Sequence, residues 1–504
     1  MFRVVHCVTS GFLKQRLTSA FLFTQHATRI TVHAAPSYGS ASLPPGPAGQ
    51  VIQRCDPWSF VRNGPDGTRD EPGLYFSGAA PLLPRMRHAA LLLNSFLTTF
   101  LVLPAVADDW PQWRGPRRDG VSIETGLAQE WGSNGPPVLW MARGIGVGFS
   151  SVSVVGNRIY TMGDSGEFSL VHALDAAEKG KIVWSTRIGK PGGARDPGTR
   201  STPTVDGDRV YALGQWGDLV CLEAKDGKEV WRKHLKQDLG GEMMSGWGWS
   251  ESVLVDGENV ICTPGGKHGT LAALNKKTGE TVWRSKDIED RAAYSSAIVA
   301  EIGGVRQYIQ LTDKSVLGVA AADGKLLWRA DRRGTTAVVP TPIYKDGHVF
   351  VTSGYGVGCN LFRISSDGGK FNAFQVYANK DLDNHHGGVV LIGDHLYGHS
   401  ESKGWVCMEF KTGKVLWNKR GVGKGSVTAA DGKLICRGEG EGRGAGKSSA
   451  IALVEASPEG YNELSRFDQP ERSLKSAWPH PVAAGGRLYI RDMDGLLCYD
   501  LRKK

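Results

Sequence analysis

A short strand ending that comes back again and again along the chain restricts its fold more than any other feature. It reads Gly-(Lys/Glu)-x-x-Trp at Gly180–Trp184, Gly227–Trp231, Gly279–Trp283, Gly324–Trp328 and Gly413–Trp417. Weaker copies end at Phe374, after Gly369, and at Leu464, after Gly460. Ahead of each ending lie two β-rich runs, as in Arg209 to Leu213 and Leu219 to Glu223, joined by turn residues such as Gly217-Asp218 and Asp226-Gly227. A turn glycine followed by an apolar strand recurs at Gly156, Gly207, Gly257, Gly303, Gly347, Gly393, Gly432 and Gly485, with spacings of 51, 50, 46, 44, 46, 39 and 53 residues. Periods of this size belong to four-stranded propeller blades. No apolar stripe of period 3.6 separates the strands, which excludes an α/β repeat.

The last copy, Arg487 to Asp500, stops before any Gly-Lys-x-x-Trp, whereas Pro136 to Trp140 is an ending with no strands ahead of it. The sequence therefore predicts an all-β, eight-bladed β-propeller of four-stranded blades, closed by an N-terminal strand that completes the last blade and leaves no unpaired seam.

The A-x-D-x-x-[TD]-G-K-x-x-W pattern of these endings resembles the pyrroloquinoline-quinone (PQQ) repeat family of eight-bladed propellers, over essentially Pro136 to Lys504. The Gly-His and Trp-Asp signatures of WD40 repeats are absent. Members of the resembled family include quinoprotein alcohol dehydrogenases and the non-enzymatic outer-membrane protein assembly factor BamB. The resemblance thus implies either an oxidoreductase or a binding scaffold.

The rest of the chain divides on composition. Residues 1–85 carry no repeat and read as untranslated or disordered. Residues 86–107 combine the basic Arg87, an apolar run from Ala89 to Leu103 and Ala105-Val106-Ala107, the pattern of a secretory signal cleaved near Ala107. Residues 108–135 are an irregular lead-in whose Trp110-Pro111-Gln112-Trp113-Arg114-Gly115-Pro116 run is expected to pack its aromatics on the propeller, and residues 136–504 are the propeller itself. An exported protein, periplasmic or extracellular, is expected. No cysteine lies between Cys55 and Cys221, so the chain is expected not to be a lipoprotein. The formal charge of +9 falls to +4 once residues 1–107, with nine Lys/Arg against four Asp/Glu, are set aside. So mild a surplus gives no nucleic-acid surface, and a monomer is expected.

Six cysteines remain after residue 107: Cys221, Cys262, Cys359, Cys407, Cys436 and Cys498. Cys221, Cys407 and Cys498 hold the same place in three repeats and should be buried small apolar residues rather than disulfide partners. Other motifs fail on context. Gly440 to Ser448 imitates a phosphate loop but precedes a strand. Asp492-Met493-Asp494-Gly495 lacks the spaced ligands of a calcium loop. His395 and His399, and the adjacent His385-His386, lack a third metal ligand.

In quinoprotein enzymes the resemblance implies a cofactor clamped between a Trp and a disulfide of adjacent cysteines, calcium held by Glu and Asn or Asp, and an Asp base. Adjacent cysteines do not occur here. About 50 residues per blade leave little room for insertions that would build such a site. No PQQ and no metal is therefore expected, and the enzymatic reading, a PQQ-dependent oxidoreductase with a reduced site, is the alternative. The expected function is that of an exported non-catalytic propeller that binds a protein or peptide. Its binding residues should be the bulky amphipathic groups just ahead of the innermost strands: Arg200, Trp249, Tyr294, His386, Trp478 and His480.

Overall fold

Two-residue turns with a glycine in the left-handed region set the strand pairing. All eight glycines between the first and second strands of the repeats have positive φ, from 55° at Gly156 to 72° at Gly432, a conformation that costs glycine nothing and other residues about 1 kcal/mol or more. The computed structural model describes residues 109–193, 196–440, 450–473 and 475–503. The expectations for residues 1–85 and 86–107, and most of the phosphate-loop imitation, lie outside them. Among the described residues every regular element is a strand, and the strands make eight antiparallel four-stranded sheets. In blade 1 the order runs outward from the axis as Ser153–Val155, Arg158–Ser165, Phe168–Asp175 and Lys181–Gly189. Blades 2 to 8 have innermost strands starting at Thr204, Leu254, Ile298, Ile343, Val389, Gly425 and Val482.

Blade 8 is closed by the N-terminal strand: Val138–Ala142 pairs with Gly495–Asp500, outside Arg487–Asp492 and Val482–Ala484. Each of eight apolar clusters is shared between two neighbouring blades, so the core is a ring of inter-blade interfaces rather than one centre.

The repeated Trp is the chief device of those interfaces. In every blade the outermost strand carries a bulge at the same place, for example between Cys221 and Leu222 opposite Trp231 and Glu229, and likewise around Trp184, Trp283 and Trp417. The extra residue, Val183, Val230, Val282 or Leu416, is pushed out to solvent, 38–51% exposed, while the Trp turns inward. The indole N–H of Trp184, Trp231 and Trp283 then donates to the carbonyls of Ala224, Lys276 and Ala321 in the next blade, at 3.0, 2.9 and 3.1 Å. Its ring covers that blade's turn glycine.

This register corrects two endings read from sequence. In blade 5 the bulge falls at Gln375 to Tyr377, so Tyr377 stands where the Trp stands elsewhere, and its hydroxyl donates to Phe410 O at 3.0 Å. Phe374 is instead 48% exposed under the Arg363 guanidinium. The third and outermost strands of this blade are ten residues each, so the hairpin reaches further out and delays the inward-facing position. In blade 7 the position belongs to Ser465, not Leu464, and Ser465 Oγ accepts from the Trp131 backbone N–H at 2.6 Å.

Cys221, Cys262, Cys359, Cys407, Cys436 and Cys498 are all free and buried. Cys221, Cys407 and Cys498 each sit between a Tyr and a Trp of their own blade, and burial pushes the Cys221 thiol up to about 12.

Candidate functional site

In an antiparallel blade the innermost strand runs from one end of the axis to the other. All eight first turns therefore lie at one end, and all connections between blades lie at the opposite, loop end. The two ends of the axis differ here.

At the turn end the lead-in closes over the axis. Trp110 pairs its backbone with Val154 of blade 1 at 2.7 and 2.8 Å, and Pro111 O accepts from Val205 N of blade 2 at 2.8 Å. Arg118 donates to Ser252 O and Val253 O of blade 3 at 2.5 and 3.2 Å, and Trp113 to Thr341 Oγ1 of blade 5 at 3.0 Å. Arg114 reaches Val389 O of blade 6 at 2.6 Å. Ser122 and Glu124 hold blades 7 and 8 through Ala429 O and Gly486 N, at 2.8 and 2.9 Å. Arg114 and Arg118 are 4% and 3% exposed, and burial lowers both guanidinium groups to about 10. The lead-in thus ties seven blades together, and its aromatics pack on the propeller.

Around the axis, hydroxyl groups join blade to blade. Ser151 N, Thr202 N and Ser252 N each donate to the hydroxyl of the next blade, Thr202, Ser252 and Ser296, at 3.1, 2.8 and 2.9 Å. The recurring Ser and Thr ahead of the innermost strands are therefore explained by this belt.

At the loop end the bulky residues form an arc. Tyr355, 54% exposed, meets His385 at 5.0 Å between ring centres; His385 meets His386 at 5.3 Å, His386 meets Trp478 at 5.9 Å, and Trp478 lies 4.2 Å from Phe149. Arg200 continues it, its guanidinium 5.8 Å from the Phe149 ring and 5.7 Å from the Trp247 ring. It donates to the carbonyls of Trp247 and Asp196, at 3.4 and 3.0 Å. Residues from blades 5, 6, 8, 1, 2 and 3 so become neighbours. Behind the arc, Glu439 Oε1 lies 2.9 Å from His386 Nε2. Glu401 Oε1 lies 2.8 Å from His385 Nδ1 and 3.2 Å from Lys424 Nζ. Burial lowers His386 below the ordinary imidazole range, whereas the hydrogen bond from His385 holds Glu401 down at about 2. The arc therefore presents aromatic rings and donors over a row of carboxylates.

Of the six residues chosen from sequence, Arg200, His386 and Trp478 belong to this arc. Trp249 is 5% exposed in the core between blades 2 and 3, with its indole donating to Thr263 O at 3.2 Å. Tyr294 is 8% exposed and shares a hydrogen bond with the Ser245 hydroxyl. His480 lies beneath the arc, its Nε2 2.9 Å from His386 O and its ring 4.6 Å from Trp113. Trp247 and Tyr355 were missed. Trp247 sits two positions before Trp249, and the alternation in Gly246-Trp247-Gly248-Trp249 was the available signal that one indole faces in and the other out. Tyr355 lies on a loop between strands, where no repeat position marks it.

Comparison with known proteins places this geometry. A family model described as outer membrane protein assembly factor BamB matches residues 167–419. The BamB of Shewanella oneidensis is 23% identical over 279 residues, 51% of this chain and 66% of that one. The BamB of Escherichia coli K12 is 25% identical over 190 residues, 33% and 44% of the two chains. The aligned region thus spans no more than 66% of either relative. Among solved structures, BamB from Moraxella catarrhalis superposes with a TM-score of 0.51 at 14% identity, covering 73% of this chain and 98% of that one. Quinohemoprotein alcohol dehydrogenase from Comamonas testosteroni gives 0.54 at 13%, covering 79% and 81%. At such identities the two solved structures speak to the fold alone. The family match begins at the hairpin of blade 1 and runs to the outermost strand of blade 6, half of the chain, and with the eight-bladed ring closed by its own N-terminal strand it shows that this chain belongs to the PQQ-repeat family of the outer membrane protein assembly factor BamB.

Proposed function

We propose that this chain is an exported, non-catalytic propeller that holds a protein or peptide partner on the arc at its loop end. The observation that carries this reading is the asymmetry of the axis: the lead-in covers the turn end, while the loop end presents Tyr355, His385, Trp478, Arg200 and Trp247 as one amphipathic surface. Aromatic rings give large contact area at small side-chain entropy cost, and Arg and His add directional donors. The likeness to an assembly factor of the outer membrane, and the basic, apolar and Ala-Val-Ala run of residues 86–107, support export.

Chemistry with PQQ is not part of the proposal. The six described cysteines include no adjacent pair and lie buried within the blades, and the axis is occupied by the Arg114 and Arg118 side chains. These features, the unpaired buried cysteines above all, do not fit the clamp of adjacent cysteines, which supports leaving PQQ out of the proposal.

A peptide library displayed on phage and panned on the immobilised chain tests the reading. Enriched peptides should lose about tenfold or more in affinity when Trp478 and His385 are both replaced by Ala, at unchanged melting temperature. Peptides that bind the double variant as tightly as the parent refute the arc as the site. Dye-linked alcohol oxidation that requires added PQQ and calcium refutes the non-catalytic part.

A further inference from the structure

Beside the arc, between blades 3, 4 and 5, the loop end holds a cavity of about 550 Å³ whose lining includes Met244, Arg291, Lys314, Arg329 and Arg333 against the carboxylates of Asp313 and Asp331. Four cations thus converge on one space from four separate places in the chain: the connection into blade 4, its second loop, its outermost strand and the connection into blade 5. Two of them are braced. Arg291 Nε lies 3.0 Å from Oδ2 of Asp313, which is 5% exposed. Arg329 Nη2 lies 3.2 Å from Oδ1 of Asp290, 4% exposed and itself fixed by the hydroxyls of Thr312 and Ser315 at 2.7 and 2.5 Å. The other two, Lys314 and Arg333, are exposed, and neither side chain has an ion-pair or hydrogen-bond partner among the described residues. Two anchored guanidinium groups and two free cations form a preorganised receptor for negative charge.

We propose that this cavity receives an acidic segment, a run of Asp or Glu side chains, of the partner held on the arc. Size and spread favour a peptide over a small inorganic anion: the volume falls within the roughly 300–1,000 Å³ of pockets that enclose whole drug-sized ligands, and cations anchored on four elements suit carboxylates spaced along a chain. The site is also continuous with the arc. One connection, from the end of blade 3's predecessor strand at His234 to Leu254, supplies Met244 to the cavity, Ser245 to the Tyr294 hydroxyl and Trp247 to the arc. The inference rests on the binding reading above, and it adds the charge of what is bound.

Fluorescence anisotropy with a labelled peptide of alternating Glu and Ser, and a second of alternating Gln and Ser, tests it on the full chain. The Glu peptide should bind about tenfold or more tightly than the Gln peptide at about 50 mM salt, and lose most of that advantage at about 300 mM, where exposed charges are screened. Replacing Lys314→Glu and Arg333→Glu together should remove the advantage without altering the melting temperature, since neither side chain has a partner to lose. A control pair on the opposite end, Lys228→Glu and Lys414→Glu, should leave it intact. Equal binding of the two peptides, an unaffected Lys314/Arg333 variant, or full displacement of the Glu peptide by millimolar inorganic phosphate overturns the proposal. If the Glu peptide fails while phage-selected peptides still depend on Trp478, only this inference falls; if both fail, the binding reading falls with it.

Discussion

The indole of Trp140 covers Gly180 so closely that a Cβ there would come within 2.6 Å of the ring. Trp140 lies on the N-terminal strand, in blade 8, and Gly180 on the outer turn of blade 1, so this contact fastens to the first blade the strand whose pairing with Gly495–Asp500 closes the ring. It repeats the Trp184–Gly227, Trp231–Gly279 and Trp283–Gly324 contacts between blades 1 to 4, where a Cβ would meet the ring at 2.5, 2.8 and 2.3 Å. Trp140→Ala should therefore cost about 3–5 kcal/mol, as for other large buried aromatics. Gly180→Ala should cost about 1–3 kcal/mol, because its φ of +78° is left-handed and the added methyl meets the ring. Denaturant unfolding monitored by Trp fluorescence measures both, and an unchanged midpoint for Trp140→Ala would contradict closure through this strand.

The blade 5 register makes a second prediction. Tyr377→Phe removes the bond to Phe410 O and should cost about 1 kcal/mol, whereas Phe374→Ala, on an exposed side chain, should stay within about 0.5 kcal/mol. Reversal of that order in thermal melts would restore the register expected from the Gly369-to-Phe374 ending.

The lead-in supplies an internally controlled pair. Arg118→Ala removes the guanidinium donor to Ser252 O, leaves Val253 O with the Thr204 hydroxyl alone, and should destabilise by about 1–3 kcal/mol. The neighbouring Arg117, whose side chain is 53% exposed and paired with Asp119, should tolerate Ala within about 0.5 kcal/mol. Equal midpoints for the two variants would mean that the lead-in does not brace the ring.

Acid should weaken the fold through buried imidazoles. Burial lowers His172 and His399 to about 4 and His480 to about 3 from the ordinary 6.5. Their folded values are depressed, so the unfolded chain binds protons first as pH falls. The stability they contribute is present above about pH 6.5 and is lost between there and about pH 3. Each such proton steepens the loss by up to about 1.4 kcal/mol per pH unit. The melting temperature of His480→Gln, which keeps a donor toward His386 O, should fall less steeply between pH 6.5 and 4 than that of the parent. Parallel slopes would show that His480 is not held neutral.

The sequence alone determined the architecture, because what builds a blade is local. Alternating apolar strands, glycine turns at fixed offsets and a Trp near each outer end are encoded within a few residues, and repetition multiplies the signal. Even the closure was legible, since Pro136 to Trp140 and the truncated copy at Arg487 to Asp500 are complementary remnants of one repeat. The tertiary structure alone decided which residues are neighbours across blades. A bulge sets which side of the outer strand faces inward, so a hairpin longer by a few residues moved the Trp role in blade 5 from Phe374 to Tyr377. Likewise Trp249 and Trp478 hold similar places in their repeats, yet one indole is buried between blades and the other, half-buried, packs over His386 and Phe149 at the loop end. The difference lies in connections of unequal length, whose paths depend on the space left by neighbouring blades and not on any pattern within the connection itself.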